Sequence, residues 1–113
     1  MNSTFSTAQQ NNNLPQDGNY RFDIAFAEMD GQSMGEKVTV IINGKNIKVI
    51  YENDGNLKFT EDDGLVDQGI IMKHKSGQWI IGIMDEDAEL DHVGGCTGGP
   101  AVIDFENRKY WMC

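Results

Sequence analysis

Four glycines surround one cysteine in Gly94-Gly95-Cys96-Thr97-Gly98-Gly99-Pro100, and glycine permits backbone conformations that other residues avoid. Three chemistries fit such a loop: a nest of backbone N–H groups for an anion, a nucleophilic thiol, or a recognition loop anchored by a disulfide. The loop lacks the Gly-Lys-Ser/Thr ending of a phosphate-binding P-loop and does not match the dinucleotide fingerprint. Cys113 lies seventeen positions after Cys96, a span a disulfide closes if the final strand passes under the loop. The alternative is two unrelated reduced thiols in a cytosolic protein.

The next acidic and basic groups offer less. Asp85-Glu86-Asp87-Ala88-Glu89-Leu90-Asp91-His92 places oxygen ligands at nearly every second residue, as a hard cation would need in an extended loop. Counted from Asp85, position six is Leu90 where an EF-hand requires glycine, and position twelve is Cys96 where it requires glutamate. The row therefore reads as a solvated acidic loop, and no metal or cofactor is expected. His74 and His92 are the only histidines. Ser76, Asp85 and Asp87 are potential triad partners, but no Gly-x-Ser-x-Gly elbow is present. A Cys96–His92 pair is the one enzymatic arrangement worth naming, and it lacks an identifiable orienting group.

These residues must be positioned by strands. Tyr20, Phe22, Ile24 and Phe26 alternate with Arg21, Asp23 and Ala25, which marks a first strand. Asn43-Gly44 separates Lys37–Ile42 from Lys45–Tyr51 and predicts a two-residue hairpin pairing Ile42 with Lys45, Val40 with Ile47 and Val38 with Val49. A turn at Asn53-Asp54-Gly55 leads to a short strand through Leu57 and Phe59, and Glu61-Asp62-Asp63-Gly64 forms an acidic turn. Gly69–Lys75 and Gln78–Asp85 flank Ser76-Gly77, predicting pairs His74–Trp79, Met72–Ile81 and Ile70–Ile83. With Ile71, Ile80 and Met84 on the other side, this ribbon is apolar on both faces and is either buried on both or presented to a partner. A last hairpin sets Phe105 against Tyr110 and Ile103 against Met112. Glu86–Val93 has the length of a helical turn. Met29, Met72, Met84 and Met112 read as core filler, and Tyr110-Trp111 as packing against the glycine-rich loop or stacking on a ligand.

About eight short antiparallel strands in a meander give an all-β domain over residues 19–113, preceded by a polar, disordered tail over residues 1–18. Such a meander either closes into a small barrel, the first expectation, or folds into a two-sheet sandwich. With 113 residues, 39% hydrophobic and 9% aromatic, the core is modest. Eighteen acidic against nine basic side chains leave a net charge of −9, which opposes nucleic-acid binding. No apolar run approaches the ~20 residues of a membrane helix, so the chain reads as soluble. An even cysteine count and an Asn/Gln/Ser-rich start, like the mature end left by processing, point to a secreted or periplasmic location, with the cytoplasm as the alternative.

Gly18-Asn19-Tyr20 followed by antiparallel hairpins resembles the opening of the lipocalin-like, calycin-type barrels, with Tyr20 where that family carries tryptophan. Ser76-Gly77-Gln78-Trp79-Ile80-Ile81 is similar to the short Gly-x-Trp strands of small secreted bacterial β-proteins. The resemblance implies a barrel that binds a small apolar ligand without catalysis. Its inward residues would be Phe22, Phe26, Val40, Val49, Met72 and Ile81. The alternative is a protein-interaction or inhibitor-like module presenting Gly94, Gly95, Cys96, Thr97, Gly98 and Gly99, held by a Cys96–Cys113 bridge.

Overall fold

The computed structural model describes residues 14–52 and 64–113. Seven strands close into a barrel in sequence order: β1 (Gly18–Phe26), β2 (Lys37–Asn43), β3 (Asn46–Tyr51), β4 (Leu65–Lys73), β5 (Trp79–Gly82), β6 (Ala101–Asp104) and β7 (Lys109–Met112). Consecutive strands are antiparallel. With an odd number of alternating strands the first and last run the same way, so β1 and β7 close the barrel in parallel, from Asp23↔Lys109 to Phe26↔Met112. The strand expected through Leu57 and Phe59, and the turns flanking it, lie outside the described residues. Among the described residues there are also two short 3-10 turns, Ala27–Met29 and Asp85–Glu89, the second within the stretch read as a helical turn.

Alternation fills the barrel. Phe22 and Ile24 of β1, Val38, Val40 and Ile42 of β2, Ile47, Val49 and Tyr51 of β3, and Ile71, Ile81, Ile103 and Tyr110 form one buried cluster. Fully burying such a side chain stabilises the fold by about 1.5–3 kcal/mol. In the first hairpin the turn residues are Gly44 and Lys45, and the pairs are Asn43↔Asn46, Ile42↔Ile47 and Val40↔Val49. The register therefore lies two residues from the predicted one, which leaves every side chain on its expected face. Gly44 supplies the positive φ (64°) at the first turn position, as in a II′ turn, and its N–H donates to Asp17 Oδ1 at 2.7 Å.

The second hairpin differs more. Ile71 pairs with Ile81, Met72 with Ile80 and Lys73 with Trp79, one residue off the prediction, because the loop is Lys75-Ser76-Gly77 rather than Ser76-Gly77. His74 N–H donates to the Gln78 carbonyl and Gly77 N–H to the His74 carbonyl, with Gly77 at φ 94°, the pattern of a three-residue hairpin loop. This slip turns Met72 to the outer face, beside Gly82, and brings Ile71 inward. The ribbon is buried on both sides only at its centre: Ile80 and Val102, paired on the outer face, are 0% and 7% exposed under the 83–100 connection, whose Gly94 lies against Val102, whereas Ile83 is 75% exposed. Met29 and Met84, expected as core filler, are exposed.

In the last hairpin Ile103 pairs with Tyr110 and Asp104 with Lys109, again two residues from the expected register. Asp104 sets the turn, since its Oδ1 accepts the N–H groups of Glu106 and Asn107 and its Oδ2 accepts from Asn107 Nδ2.

Candidate functional site

The seam between β5 and β6 is, with that between β6 and β7, one of the two shortest antiparallel seams of the barrel. It consists of Ile80↔Val102 and Ile81↔Ala101 alone, and these strands are connected by residues 83–100 rather than by a tight turn. At its N-terminal end β5 follows β4, with Trp79 opposite Lys73, while β6 turns into the Asp104-capped loop. Between them lies a cleft of about 880 Å³, lined by Trp79, Phe105, Ile103, Trp111, Lys73, Gln78, Asp104, Glu106 and Pro15, among others. That volume is within the range of small-molecule sites.

Three aromatic rings step from this cleft into the core. Trp79 and Phe105 meet edge to face at 6.1 Å between centroids, and Phe105 meets Phe22 in the same way at 6.1 Å. Lys73 Nζ stands 4.9 Å from the Trp79 ring centre, a cation–π contact. Its ammonium makes no ion pair or hydrogen bond among the described residues. Asp104 on the rim is committed to its own turn: partial burial pushes its carboxyl up, but the hydrogen bonds from Asn107 and Glu106, with Lys109 nearby, outweigh that and hold it below the usual carboxylate range. Residues 14–17 lie beside the barrel's end, with Leu14 packed on the core and the Gln16 carbonyl accepting from Tyr20 Oη at 2.5 Å.

Of the residues expected to line a ligand cavity, Phe22, Val40, Val49 and Ile81 are fully enclosed in the packed interior. Phe26 is half-buried against that cluster, and Met72 lies outside it. The interior also holds a polar pair that sequence reading missed. One extra residue in β4 (Val49↔Asp67, Ile50↔Leu65) makes a bulge at Val66, and Tyr110 Oη donates to Asp67 Oδ2 at 2.9 Å. Burial pushes the Asp67 carboxyl up, against the opposing hydrogen bonds of Tyr110 and the Gln68 amide. Burial and the neighbouring carboxylate both push the Tyr110 phenol up. A second polar pair, this one with both partners buried, is Tyr51 Oη donating to Glu36 Oε1 at 2.5 Å.

The glycine-rich loop is clamped. Cys96 and Cys113 form a disulfide, Gly94 N–H donates to the Pro100 carbonyl at 2.7 Å, and Thr97 N–H and Oγ1 both donate to the Gly94 carbonyl. Residues 96–99 are exposed. Bonded to Cys113, Cys96 is not a free nucleophile, and the Cys96–His92 arrangement does not form. His74 is 4% exposed; its Nε2–H donates to the Leu90 carbonyl at 2.6 Å, and its Nδ1 accepts from Ser76 N–H and lies 2.8 Å from Ser76 Oγ. The bond to Leu90 pins the hairpin to the 83–100 connection, and the His–Ser contact lies outside the cleft. Asp87 accepts the N–H groups of Ile83 and Met84, and Asp91 pairs with Lys75 at 3.1 Å, so these two members of the acidic row are engaged in local structure. The Trp111 ring packs on Gly31 and also lines the cleft.

No protein-family model, curated protein or solved structure matches this chain. No helix among the described residues is long and apolar enough to cross a membrane.

Proposed function

We propose that the protein is a non-catalytic binding domain of an oxidising compartment, periplasmic or extracellular, whose ligand is a small ring compound bearing an acidic group. The observation that carries this reading is the unpaired Lys73 ammonium above Trp79, at the point where the β5–β6 seam stops and leaves Trp79 and Phe105 facing a cleft. A flat ring stacks on the aromatics and its anionic group meets Lys73, whose ammonium has no carboxylate partner among the described residues. This departs from lipocalin-like use of the interior, because Phe22, Val40, Val49 and Ile81 already fill that space. The disulfide supports the compartment.

Anilinonaphthalene sulfonate, two ring systems with one sulfonate, is a direct probe. The folded wild type enhances its fluorescence, and Trp79→Ala and Lys73→Gln each weaken its binding fivefold or more, while Met72→Ala on the outer face leaves it unchanged. Equal binding by all four proteins rejects the cleft as the site.

A second reading is favoured by the exposed, doubly anchored loop at 94–100: a surface for a protein partner, rigid enough to lose little entropy on binding. It requires Cys113→Ser to weaken capture of the partner while the barrel stays folded; unchanged capture counts against it.

A further inference from the structure

Barrel closure gathers three ligating side chains from distant parts of the chain. Parallel pairing of Phe26 with Met112 brings the residue after β7, Cys113, alongside the Ala27–Met29 turn that carries Glu28. The glycine-rich loop approaches the same turn, with a Cβ built on Gly95 falling 3.6 Å from Ala27 Cβ. One carboxylate oxygen of Glu28 and the sulfurs of Cys96 and Cys113 all lie within 4.8 Å of one another at an exposed corner. The Glu28 carboxylate makes no hydrogen bond or ion pair among the described residues.

We propose that reduction of the disulfide converts this corner into a site for a thiophilic divalent cation of the zinc class, held by Cys96, Cys113 and Glu28 with water in the fourth position. This inference is independent of the cleft. A phosphine or dithiol reductant supplies two electrons, the S–S bond breaks, and two protons complete the thiols. Metal binding then releases both thiol protons to solvent. Two thiolates and a carboxylate place three negative charges together in an already acidic chain, an arrangement that a divalent cation compensates and that disfavours the empty dithiolate. Two sulfurs and one oxygen select a borderline-soft ion over magnesium or calcium. Tetrahedral bonds of ~2.3 Å require the sulfurs to move to about 3.8 Å apart, and the backbone at Gly94, Gly95 and Gly98, all at positive φ, gives Cys96 that freedom. The corner then has two interchangeable clamps, covalent when oxidised and metal-bridged when reduced.

The test is cobalt titration of the full chain after phosphine reduction under anaerobic conditions. Reduced wild type gives near-ultraviolet sulfur-to-cobalt charge-transfer absorbance saturating at one ion per chain and abolished by zinc; the oxidised chain gives none. Glu28→Gln keeps the charge-transfer band but weakens affinity tenfold or more, and Cys96→Ser removes most of the band. A parallel melt followed by circular dichroism shows zinc raising the melting temperature of the reduced wild type, or restoring its fold if reduction unfolds it, with a smaller effect on Glu28→Gln. Absence of charge transfer in the reduced wild type, absence of any effect of zinc on its melt, or equal cobalt affinity in Glu28→Gln overturns the proposal.

Discussion

Breaking the Cys96–Cys113 bond should weaken the protein without abolishing its fold. The bond closes a segment with a sequence separation of 17, and the chain-entropy relation for a loop of that size gives a stabilisation of about 3 kcal/mol, acting mainly through the unfolded state. For a domain of this size that corresponds to a fall in melting temperature of roughly 12–24 °C. The buried cluster from Phe22 to Tyr110 lies inside the barrel, and the β1–β7 pairing ends at Met112, before the bond is reached. Far-ultraviolet circular dichroism of Cys113→Ser should therefore match that of the oxidised wild type at 25 °C, while its urea midpoint moves down. The urea slope should rise, because the uncrosslinked unfolded chain exposes more surface. Hydrogen exchange should quicken at Gly94 and Thr97, whose N–H groups close the clamped loop. Urea melts of the two proteins, both with chelator present, decide the matter. A loss below about 1 kcal/mol would show that the bond closes a segment already closed in the unfolded chain, and loss of the β-signal would show that the barrel depends on the clamp.

Asp67 carries a sign that pH can read. Burial raises its carboxyl pKa in the folded state, so its favourable contribution is complete below the ordinary aspartate value of about 3.9 and is lost as pH rises through the raised folded value. Asp67→Asn, which still accepts from Tyr110 but cannot ionise, should gain on wild type across that window and be the more stable at neutral pH; paired urea midpoints from pH 3 to 8 that stay parallel would contradict this. Tyr51→Phe removes a buried donor to Glu36, with both residues at most 5% exposed, and should cost about 1–3 kcal/mol by denaturant melt. A Cβ at Gly69 would fall 2.3 Å from the Gly82 carbonyl of β5, whereas one at Gly98 meets nothing within 4 Å. Gly69→Ala should therefore lose about 3 kcal/mol by overpacking and Gly98→Ala only about 1–2 kcal/mol from its left-handed backbone; thermal melts that rank them the other way would refute the packing argument.

Much of this architecture was legible in the chain, and the failures have physical causes. A strand places side chains with period two, so an error of two residues in the first and last hairpins left Ile42, Val40, Ile103 and Tyr110 on the right face. The one-residue error at Ser76-Gly77 did not. It put Met72 among inward residues and hid Lys73, which belongs on the Trp79 face. Counting Lys75-Ser76-Gly77 as a three-residue loop ending in a left-handed glycine would have recovered both. The Asp67–Tyr110 pair was out of reach, because a bulge at Val66 leaves no periodic signature and its partner is 43 residues away. The disulfide was legible as a possibility, and Glu28 was not, since its approach depends on which strands close the barrel.

That closure fixes both the clamp and the cleft. Had an eighth strand made the ends of the barrel antiparallel, the last strand would finish beside Gly18 instead of Phe26, a nine-residue strand away, or about 26 Å at ~3.3 Å per residue. Cys113 would then be out of reach of Glu28. Seven strands instead set the C-terminal ends of β1 and β7 together, and Cys96 must come to that end before the chain descends through β6. Between Gly82 and Cys96 the connection first runs down the outer face of the second hairpin, where Leu90 and Ala88 accept from His74 and Lys75, and then returns to cover Val102. A chain committed to that path holds β5 to β6 only at Ile80 and Ile81. The same route that brings the cysteines together therefore leaves Trp79 and Phe105 at an unzipped seam, so a strand-zipping change there should close the cleft without disturbing the clamp.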